Sequence, residues 1–383
     1  MKRWPTKPLG DLVSLEYGKA LKAEERSGNG LYPVYGSNGI VGLHNEAVVK
    51  EPTIIVGRKG AIGEAHLAEN GCWPIDTAFY TQFRQSDVVT LQYLLLWFRS
   101  VDLKSFAITA TIPGLNRNTL YAQQVPVPPL AEQERIVKLL DEADELRKLR
   151  AQADRRSAAL IPALFHEMFG DPITNSRGWS THPVSSFVAE LQGGHSVNPA
   201  GADEATGRFR VLKISAVTWG EFQPDESKPV PAVYEPPASH LVRAGDLLFS
   251  RANTTELVAA TSYVFDTPPN LLLPDKLWRF VWKEPRTIEP LFVWWLFQAA
   301  SVRRELGARA TGTGGSMKNI SKPKVMTLEV PVPPLPLQQE FAQRVSEIRA
   351  LQAAQAASRK QTEHLFQSML QRAFNQALVR EGA

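Results

Sequence analysis

The stretch that organises the chain is VPVPPLAEQERIVKLLDEADELRKLRAQADRRSAALIPALFHEMF, which runs from Val125 to Phe169. It aligns without a gap on VPVPPLPLQQEFAQRVSEIRALQAAQAASRKQTEHLFQSMLQRAF, from Val330 to Phe374, at a constant shift of 205 residues. Proline fixes its own φ and favours an extended residue before it, so each VPVPPL strip predicts extended backbone. A helical pattern follows each strip. The chain therefore contains an internal repeat, and this repeat sets the architecture.

The two helical patterns share one heptad register, with Ile136 and Phe341 at equivalent a positions. Polar Arg150 and Gln355 also fall at equivalent a positions, as expected where a polar residue fixes register. The d positions carry the leucines of the predicted seam, Leu139, Leu146, Leu160, Leu351 and Leu365. We expect two helices, each about 35 to 40 residues and roughly 55 Å long, that pair with each other. The alternative is two independent surface helices. Pro162 is expected to kink or unwind the first helix.

Two segments of domain size lie beside these repeats, residues 1–124 and 171–329. Each has short β-rich runs broken by glycine and proline, and each closes with an apolar aromatic helix, LQYLLLWF from Leu91 or EPLFVWWLFQA from Glu289. A core position is the better interpretation of both aromatic helices. TIIVGRKGAIGEAHL from Thr53 resembles DLLFSRANTTELVAA from Asp246, which supports a common origin. The sequence predicts a mixed α/β (α+β) fold of two similar domains, 1–124 and 171–329, alternating with helical segments 125–170 and 330–383.

Composition excludes several classes of function. The chain has 383 residues, 43 Lys+Arg against 39 Asp+Glu, and one cysteine, so a disulfide or a cysteine-built zinc site is not expected. No apolar run approaches the length of a membrane span, and the single thiol suits a reducing cytoplasm. The seven histidines form no zinc motif, and neither a P-loop nor an (N/D)PP(Y/F) strip of adenine methyltransferases occurs. We therefore predict a cytoplasmic, non-catalytic chain with no metal and no cofactor of its own.

Further motifs stand in a fixed order around the repeats. They are PLGDLVSLEYGKA with YPVYGSNGIVG near the start, VGRKGAIGE from Val56, PGLNRNTL before the first VPVPPL, and GGSMKNISKPKV before the second. In this order the sequence resembles, over essentially its whole length, the DNA-specificity subunit of type I restriction–modification systems, the HsdS family.

The resemblance implies two target-recognition domains, each reading one half of a split sequence in double-stranded DNA. It implies that the two repeat helices form an antiparallel coiled-coil spacer on which two modification subunits dock, and that a pair of restriction motor subunits can join. S-adenosylmethionine, ATP and Mg²⁺ would then serve these partners, which methylate adenine N6 and cut DNA. Independently, recognition domains on a spacer of roughly 55 Å can reach half-sites about one helical turn apart.

DNA contacts need cations and amides on phosphates, and Arg, Lys, Asn, Gln or aromatic side chains on base edges. In residues 1–124 the candidates are Tyr35, Ser37, Asn38, Arg58, Lys59, Asn116 and Arg117. In residues 171–329 they are Lys213, Ser250, Arg251, Asn253, Lys276, Lys318, Lys322 and Lys324. The alternatives are an ordinary hairpin turn, solvated surface cations and, for Asn116, a helix cap.

Apolar positions expected to face away from the partner helix are candidates for docking the modification subunits. These are Leu140, Leu149, Val345 and Phe366. Two other functions remain open on sequence alone. One is a protein–protein scaffold with two binding domains, which predicts no salt-dependent DNA affinity. The other is a stand-alone nuclease or methyltransferase, against which the missing cofactor motifs argue.

Overall fold

The computed structural model describes residues 4–108, 114–197, 206–312 and 317–374. The chain divides into two units: unit 1 is Met1–Ala153 with Gln355–Ala383, and unit 2 is Asp154–Ala354. Each unit thus combines one predicted globular segment with parts of both helical repeats. Residue 113 of PGLNRNTL and residues 314–316 of GGSMKNISKPKV lie outside the described residues.

The described residues of the globular part of unit 1 form short strands and three short α-helices. The strands are β1 Thr6–Pro8, β2 Val13–Tyr17, β3 Tyr32–Gly36, β4 Gly39–His44, β5 Thr53–Gly57, β6 Ala65–Ala68, β7 Trp73–Pro74, β8 Ala78–Phe83, β9 Ala107–Ile108, β10 Gly114–Leu115 and β11 Gln124–Pro126. The helices are α1 Leu9–Leu12, α2 Leu91–Ser100 and α3 Arg117–Tyr121, and α4 Leu130–Ala158 then runs from unit 1 into unit 2.

Unit 2 repeats this plan. Its strands are β12 Thr181–Pro183, β13 Val188–Gly193, β14 Thr206–Leu212, β15 Ser227–Pro231, β16 Leu247–Ser250, β17 Ala252–Asn253, β18 Thr261–Tyr263, β19 Leu271–Leu272, β20 Leu277–Trp282, β21 Lys318–Asn319 and β22 Glu329–Pro331. Its helices are α5 Leu160–Phe169, α6 Ser215–Thr218, α7 Pro290–Gln298, α8 Ala300–Arg309 and α9 Lys322–Met326, followed by α10 Leu335–Phe374, which continues into unit 1.

The two larger sheets of each unit share one topology. Each has an antiparallel four-stranded sheet, in the order β2-β8-β5-β6 or β13-β20-β16-β18. Each also has a three-stranded sheet with one antiparallel and one parallel pair, β4-β3-β7 or β15-β14-β19. The predicted duplication of the globular segments is therefore present in the fold, although their sequences have diverged.

Local sequence explains the central strands and the aromatic helices. TIIV in β5 and LLFS in β16 are uninterrupted buried runs, as expected for strands covered on both faces. Helices α2 and α7 bury most of their aromatic and aliphatic side chains in the main core of their own unit, which confirms the predicted core position. The proline strips close each domain: β11 pairs with β1, and β22 pairs with β12. These two-stranded pairs have edges on which proline is tolerated.

The long helices form as predicted, but their buried face differs from the predicted seam. The first helix is interrupted at Ala159, where Pro162 lacks the amide that would donate to Ala158. The a residues Ile136 and Phe341 are buried. The prediction for the d positions is wrong, because all five leucines there are exposed. Near its start, each helix instead buries a face of period 3.6 against the core of the globular domain that precedes it. The far end of α10 packs on the core of unit 1 through Phe366 and Leu370.

The two helical repeats contact each other within each unit. In unit 1, Arg147 Nε donates to Glu363 Oε2 at 2.8 Å, and the Arg147 guanidinium lies 4.2 Å from the centre of the Phe366 ring. In unit 2, the rings of Phe165 and Phe341 meet edge to face at 5.6 Å. No helix in the described part of the chain is long and apolar enough to cross a membrane.

Candidate nucleic-acid interface

Three separated segments of unit 1 converge at the end of its four-stranded sheet. The amide of Leu115 donates to the carbonyl of Arg58 at 3.0 Å, and Lys59 forms a bridge with Gly114. The turn between β3 and β4 also lies here, because a Cβ on Gly57 would be only 2.5 Å from the carbonyl oxygen of Ser37. The fold therefore gathers the turn, the loop after β5 and the start of α3, all of which the sequence marked as candidates.

Two arginines of this cluster share one aromatic ring. The guanidinium carbon of Arg58 lies 4.9 Å from the centre of the Tyr17 ring, and that of Arg117 lies 5.3 Å from it. Arg58 Nη1 also donates to the carbonyl of Asp76 at 2.8 Å. Among the described residues, no carboxylate forms an ion pair with Arg58, Lys59 or Arg117. The Arg58 and Arg117 guanidinium groups are therefore held in place by an aromatic ring and backbone carbonyls, with no described carboxylate to offset their charge.

Two of the unit 1 candidates have structural tasks. Tyr35 is buried, its hydroxyl donates to the carbonyl of Leu67 at 3.2 Å, and burial raises the pKa of that hydroxyl. It is a core residue and not a DNA contact, because its strand turns it inward. Asn116 Oδ1 accepts from the amide of Asn118 and caps α3, the alternative that the sequence left open. Ser37 and Asn38 form the hairpin turn, where Asn38 is exposed.

Unit 2 repeats the framework of this cluster bond for bond. The amide of Arg251 donates to the carbonyl of Lys276 at 3.1 Å, and Ile320 donates to the carbonyl of Arg251 at 2.9 Å. In unit 1, Arg58 donates to Thr77 and accepts from Leu115 in the same way. Both arginine side chains reach the carbonyl of the aspartate in the facing loop. Arg251 Nε donates to Asp275 at 2.9 Å, as Arg58 does to Asp76.

Three of the cationic candidates of unit 2 face carboxylates. Among the described residues, Arg251 pairs with Asp275 at 3.6 Å, Lys322 with Glu190 at 3.6 Å and Lys213 with Glu226 at 3.4 Å. A hydrogen bond from Ser215 and then the Lys213 ammonium hold the pKa of the Glu226 carboxyl below its usual value. Glu226 therefore stays ionised at neutral pH and offsets the lysine beside it.

A cleft of about 400 Å³ opens between β14 and the loop before β20 in unit 2. Lys213, Lys228 and Lys276 all line it, and the side chains of Lys228 and Lys276 are exposed. Lys228 was not among the sequence candidates, because it lies in a strand with no glycine or arginine motif to mark it. Three lysines and one carboxylate, that of Asp275, line the cleft, so its lining is net cationic.

Four other candidates of unit 2 are occupied in holding loops. Ser250 is fully buried and donates to the carbonyl of Ala252, so it is not accessible to DNA. Lys324 Nζ donates to the carbonyl of Arg309 at 2.6 Å and is tied to the end of α8. Asn253 accepts from the amide of Thr254, and Lys318 donates to the carbonyl of Gly312. These last two lie paired between β17 and β21, close to Arg251.

Of the four docking candidates on the long helices, three are buried and one is exposed. Leu140, Val345 and Phe366 are buried and cannot serve as docking positions, because Leu140 and Phe366 pack in the core of unit 1 and Val345 packs in the core of unit 2. Leu149 is exposed. It lines a groove of about 860 Å³ in unit 1, together with Val137 and Leu146. The acidic residues at this groove are Glu134, Asp141, Glu142 and Glu145. Burial and then the nearby Asp144 raise the pKa of Asp141.

Sequence reasoning missed two kinds of functional residue. Tyr17 carries the paired arginines, but nothing in the local sequence marks it. Gln133 and Gln338 are completely buried at the start of the two long helices, and their equivalence in the repeat alignment was a usable signal. Among the described residues, no group of three His, Cys, Asp or Glu side chains could hold a metal ion.

The chain is similar to proteins of one family. The type I restriction modification DNA specificity domain matches residues 1–154. The EcoKI specificity subunit of Escherichia coli K12 is 27% identical over 303 residues, which cover 72% of this chain and 62% of that protein. The MjaVIII specificity subunit of Methanocaldococcus jannaschii is 22% identical over 390 residues, covering 94% and 89% of the two chains.

Solved structures share the fold. The S subunit of a type I restriction–modification system from M. genitalium has a TM-score of 0.57 at 14% identity, covering 97% of this chain and 96% of that one. A chain from work on the assembly and conformational transition of the type I system has a TM-score of 0.63 at 16% identity, with 99% of both chains covered. These structures show that the fold is shared along nearly the whole chain. Residues 1–154 match the type I restriction modification DNA specificity domain, and the chain as a whole is similar to DNA-specificity subunits of type I restriction–modification systems.

Proposed function

We propose that this chain selects the DNA target of a type I restriction–modification complex, and that each unit reads one half of a split sequence. The observation that carries the proposal is the repeated framework around Arg58 and Arg251, in which the same hydrogen bonds hold a loop arginine in two units of one chain. Different side chains surround the two arginines. A shared framework with different exposed residues is what two recognition domains with different half-sites require.

The two clusters suit the division of labour seen in DNA interfaces, where cations hold phosphates and short polar side chains read bases. Arg58 and Arg251 are pre-oriented by carbonyl hydrogen bonds, so binding orders few additional rotamers. Lys59 and Arg117 in unit 1, and Lys276 in unit 2, lie beside them as further phosphate contacts. Asn38 stands at the tip of a turn from which an amide can reach a base edge.

We assign target recognition to residues 1–124 and 171–329, and spacing to the helices within 125–170 and 330–383. Contacts between the repeats within each unit support an antiparallel spacer. In unit 1 the N-terminal repeat meets the far end of the C-terminal repeat through Arg147 and Glu363. In unit 2 a later residue of the first repeat meets an earlier residue of the second, since Gln352 Nε2 donates to the carbonyl of Ser157 at 2.9 Å. Contacts that advance along one repeat while they go back along the other are those of an antiparallel pair.

Docking of the modification subunits is assigned to the exposed leucines of the long helices rather than to their buried positions. The groove at Leu146 and Leu149 offers an apolar floor with acidic sides, which fits an amphipathic partner helix carrying Lys or Arg. The aligned residues of the second repeat lack most of this charge, since Ser346 replaces Asp141 and Ala350 replaces Glu145. Two docked subunits would therefore be held unequally, more strongly at the groove of unit 1.

In this proposal the chain itself catalyses no reaction. Methyl transfer from S-adenosylmethionine to adenine N6, and ATP- and Mg²⁺-dependent cleavage by restriction motors, belong to partner subunits in the cytoplasm. The proposal therefore predicts salt-dependent DNA affinity in the assembled complex, which a pure protein scaffold would lack.

Sequencing of adenine methylation tests target selection directly. Cells carrying this chain with its modification partner are compared with cells that carry the partner alone. The expected result is methylation at two short defined sequences separated by a fixed gap, seen only when the chain is present. An active, co-purifying partner with no chain-dependent motif would overturn the proposed function.

Co-purification tests the docking groove. Leu146→Glu with Leu149→Glu is expected to reduce recovery of the modification partner at least about tenfold, because two buried apolar contacts are replaced by charges beside acidic residues. Leu31→Glu, at an even more exposed leucine outside the groove, is the control. Equal recovery with both variants would remove the groove from the interface.

A further inference from the structure

One buried glutamine in each repeat connects the globular domain to the long helix that follows it. Gln133 and Gln338 occupy the same place in the alignment, four residues into the helical part of their repeats, and neither is exposed at all. A buried amide with several partners is unusual on the face of a helix that otherwise packs through apolar groups. The partners of the two amides show what they hold together.

In unit 1, Gln133 joins three segments of the chain. Its Oε1 accepts from the amide of Thr90, the N-cap of α2, at 2.9 Å. Its Nε2 donates to the carbonyl of Val88 at 2.8 Å and to the carbonyl of Pro128, at the end of the proline strip, at 2.9 Å. The side chain therefore forms hydrogen bonds with backbone groups of both the loop before α2 and the proline strip before α4.

In unit 2, Gln338 makes two of the corresponding bonds. Its Oε1 accepts from the amide of Glu289, the N-cap of α7, at 2.9 Å. Its Nε2 donates to the carbonyl of Pro333, the counterpart of Pro128, at 2.6 Å. Two domains whose other side chains have diverged thus keep one identical connection.

The other contacts at this junction are of a different kind. Ile136 and Leu140 pack on the core that contains α2, and Phe341 and Val345 pack on the core that contains α7. Apolar contacts are non-directional and tolerate small rotations or shifts of a helix. A glutamine that donates and accepts between fixed backbone groups permits one register only. The amide therefore defines the angle and height at which a domain meets its helix.

We propose that Gln133 and Gln338 are positioning residues that lock each recognition domain to its helix and thereby fix the number of unspecified base pairs between the two half-sites. This inference rests on the proposed function. A domain free to rotate by a fraction of a turn on its helix would accept a half-site displaced by one base pair, whereas a locked domain rejects it. The residues touch no DNA base, so half-site sequences should not depend on them.

The test measures gap discrimination by the full chain in complex with its modification partner. Duplexes carry the two half-sites found by methylation sequencing, with the natural gap or with one base pair added or removed. For Gln133→Glu or Gln338→Glu, the ratio of affinities for the natural over the altered gaps should fall at least about tenfold, with both half-sites still required. Gln339→Glu, at the exposed neighbour, is the matched control and should leave the ratio unchanged.

The ratio separates positioning from simple destabilisation, since loss of folded complex lowers binding to all three duplexes equally. Gln133→Asn keeps the amide but shortens the side chain. If the glutamate variants assemble poorly, the same affinity ratio is measured for this variant. An unchanged ratio in variants that still bind the natural duplex would overturn the inference, as would failure of every variant to assemble, which would assign the amides to folding alone. A wild-type complex that shows no split motif would instead refute the proposed function.

Discussion

Arg58 in unit 1 and Arg251 in unit 2 lie in equivalent loops and make equivalent backbone hydrogen bonds, but only Arg251 has a carboxylate partner among the described residues. Arg58 and its neighbours Lys59 and Arg117 pair with no carboxylate among the described residues, whereas Arg251, Lys213 and Lys322 each face one. An exposed cation that already has a carboxylate partner gains less from a phosphate. The comparison teaches that a duplicated framework need not give equal affinity, and that unit 1 should supply more of the electrostatic attraction for DNA.

Removing unpaired cations should have the largest effect on this comparison. Lys59→Ala with Arg117→Ala is expected to weaken DNA binding by the assembled complex about tenfold or more near physiological salt, and to reduce the salt slope by about 2. The matched pair Lys276→Ala with Lys322→Ala in unit 2 should cost less, because Lys322 is already offset by Glu190. Binding titrations across a salt series measure both. An equal or larger loss in unit 2 would break the comparison.

The framework arginines should differ in what they contribute to folding. Arg58→Ala removes a charged hydrogen bond and its contacts with two rings, so we expect a loss of about 1 to 2 kcal/mol in the free energy of unfolding. Arg251→Ala should cost about 1 kcal/mol, since it loses a hydrogen bond and an exposed ion pair. Chemical denaturation of the full chain provides the values, with Arg58→Lys as the control that keeps the charge. A reversed order would show that the rings do not stabilise unit 1.

Removing carboxylates should make unit 2 more like unit 1. Asp275→Asn with Glu226→Gln frees Arg251 and Lys213, and DNA binding by the complex should tighten by about two- to fivefold. Asp76→Asn is the matched control, because Asp76 contributes its carbonyl to Arg58 and forms no described ion pair. Its effect should be smaller, limited to the loss of one screened charge. Weaker binding by the unit 2 variant would show that these carboxylates do not restrain the cations.

The smallest expected effect is that of pH on the Glu226 pair. The folded-state pKa of Glu226 lies below its ordinary value, so its carboxylate is ionised above that value and the pair is lost only as pH falls through the folded pKa. The affinity change caused by Glu226→Gln should therefore be the same at about pH 6 and at about pH 8. Parallel titrations at the two pH values check this. A marked difference would mean that another group controls Lys213.

Much of the fold follows from the sequence alone, and so does the equivalence of the two arginine loops. The 205-residue repeat predicted both long helices, and Pro162 predicted the interruption at Ala159. The similar β-runs that precede Arg58 and Arg251 predict that these two arginines occupy equivalent positions. In contrast, Tyr35 and Ser250 were placed among DNA contacts because polar groups next to glycine or arginine indicate a loop. Strand direction, which turns these side chains inward, is not encoded in that local pattern.

The predicted heptad seam also depends on contacts that the local sequence pattern does not specify. A repeat of seven fixes which residues share a helix face, but not what that face meets. Here the globular domain competes for each helix and covers Leu140 and Val345, leaving the d leucines exposed. The structure therefore favours exposed leucines such as Leu146 and Leu149 as docking positions over the buried Leu140, Val345 and Phe366.

By itself the sequence determined the duplication, the helix lengths and the proline strips, because these depend on local backbone preferences and on spacing along the chain. Only the tertiary structure decided which cations are free, which glutamines lock the helices and which leucines face outward. Those properties depend on partners that lie far apart in sequence, as Arg58 and Leu115 do, or Gln133 and Thr90. Charge compensation and burial are pairwise quantities, so they exist only once the chain has brought the pairs together.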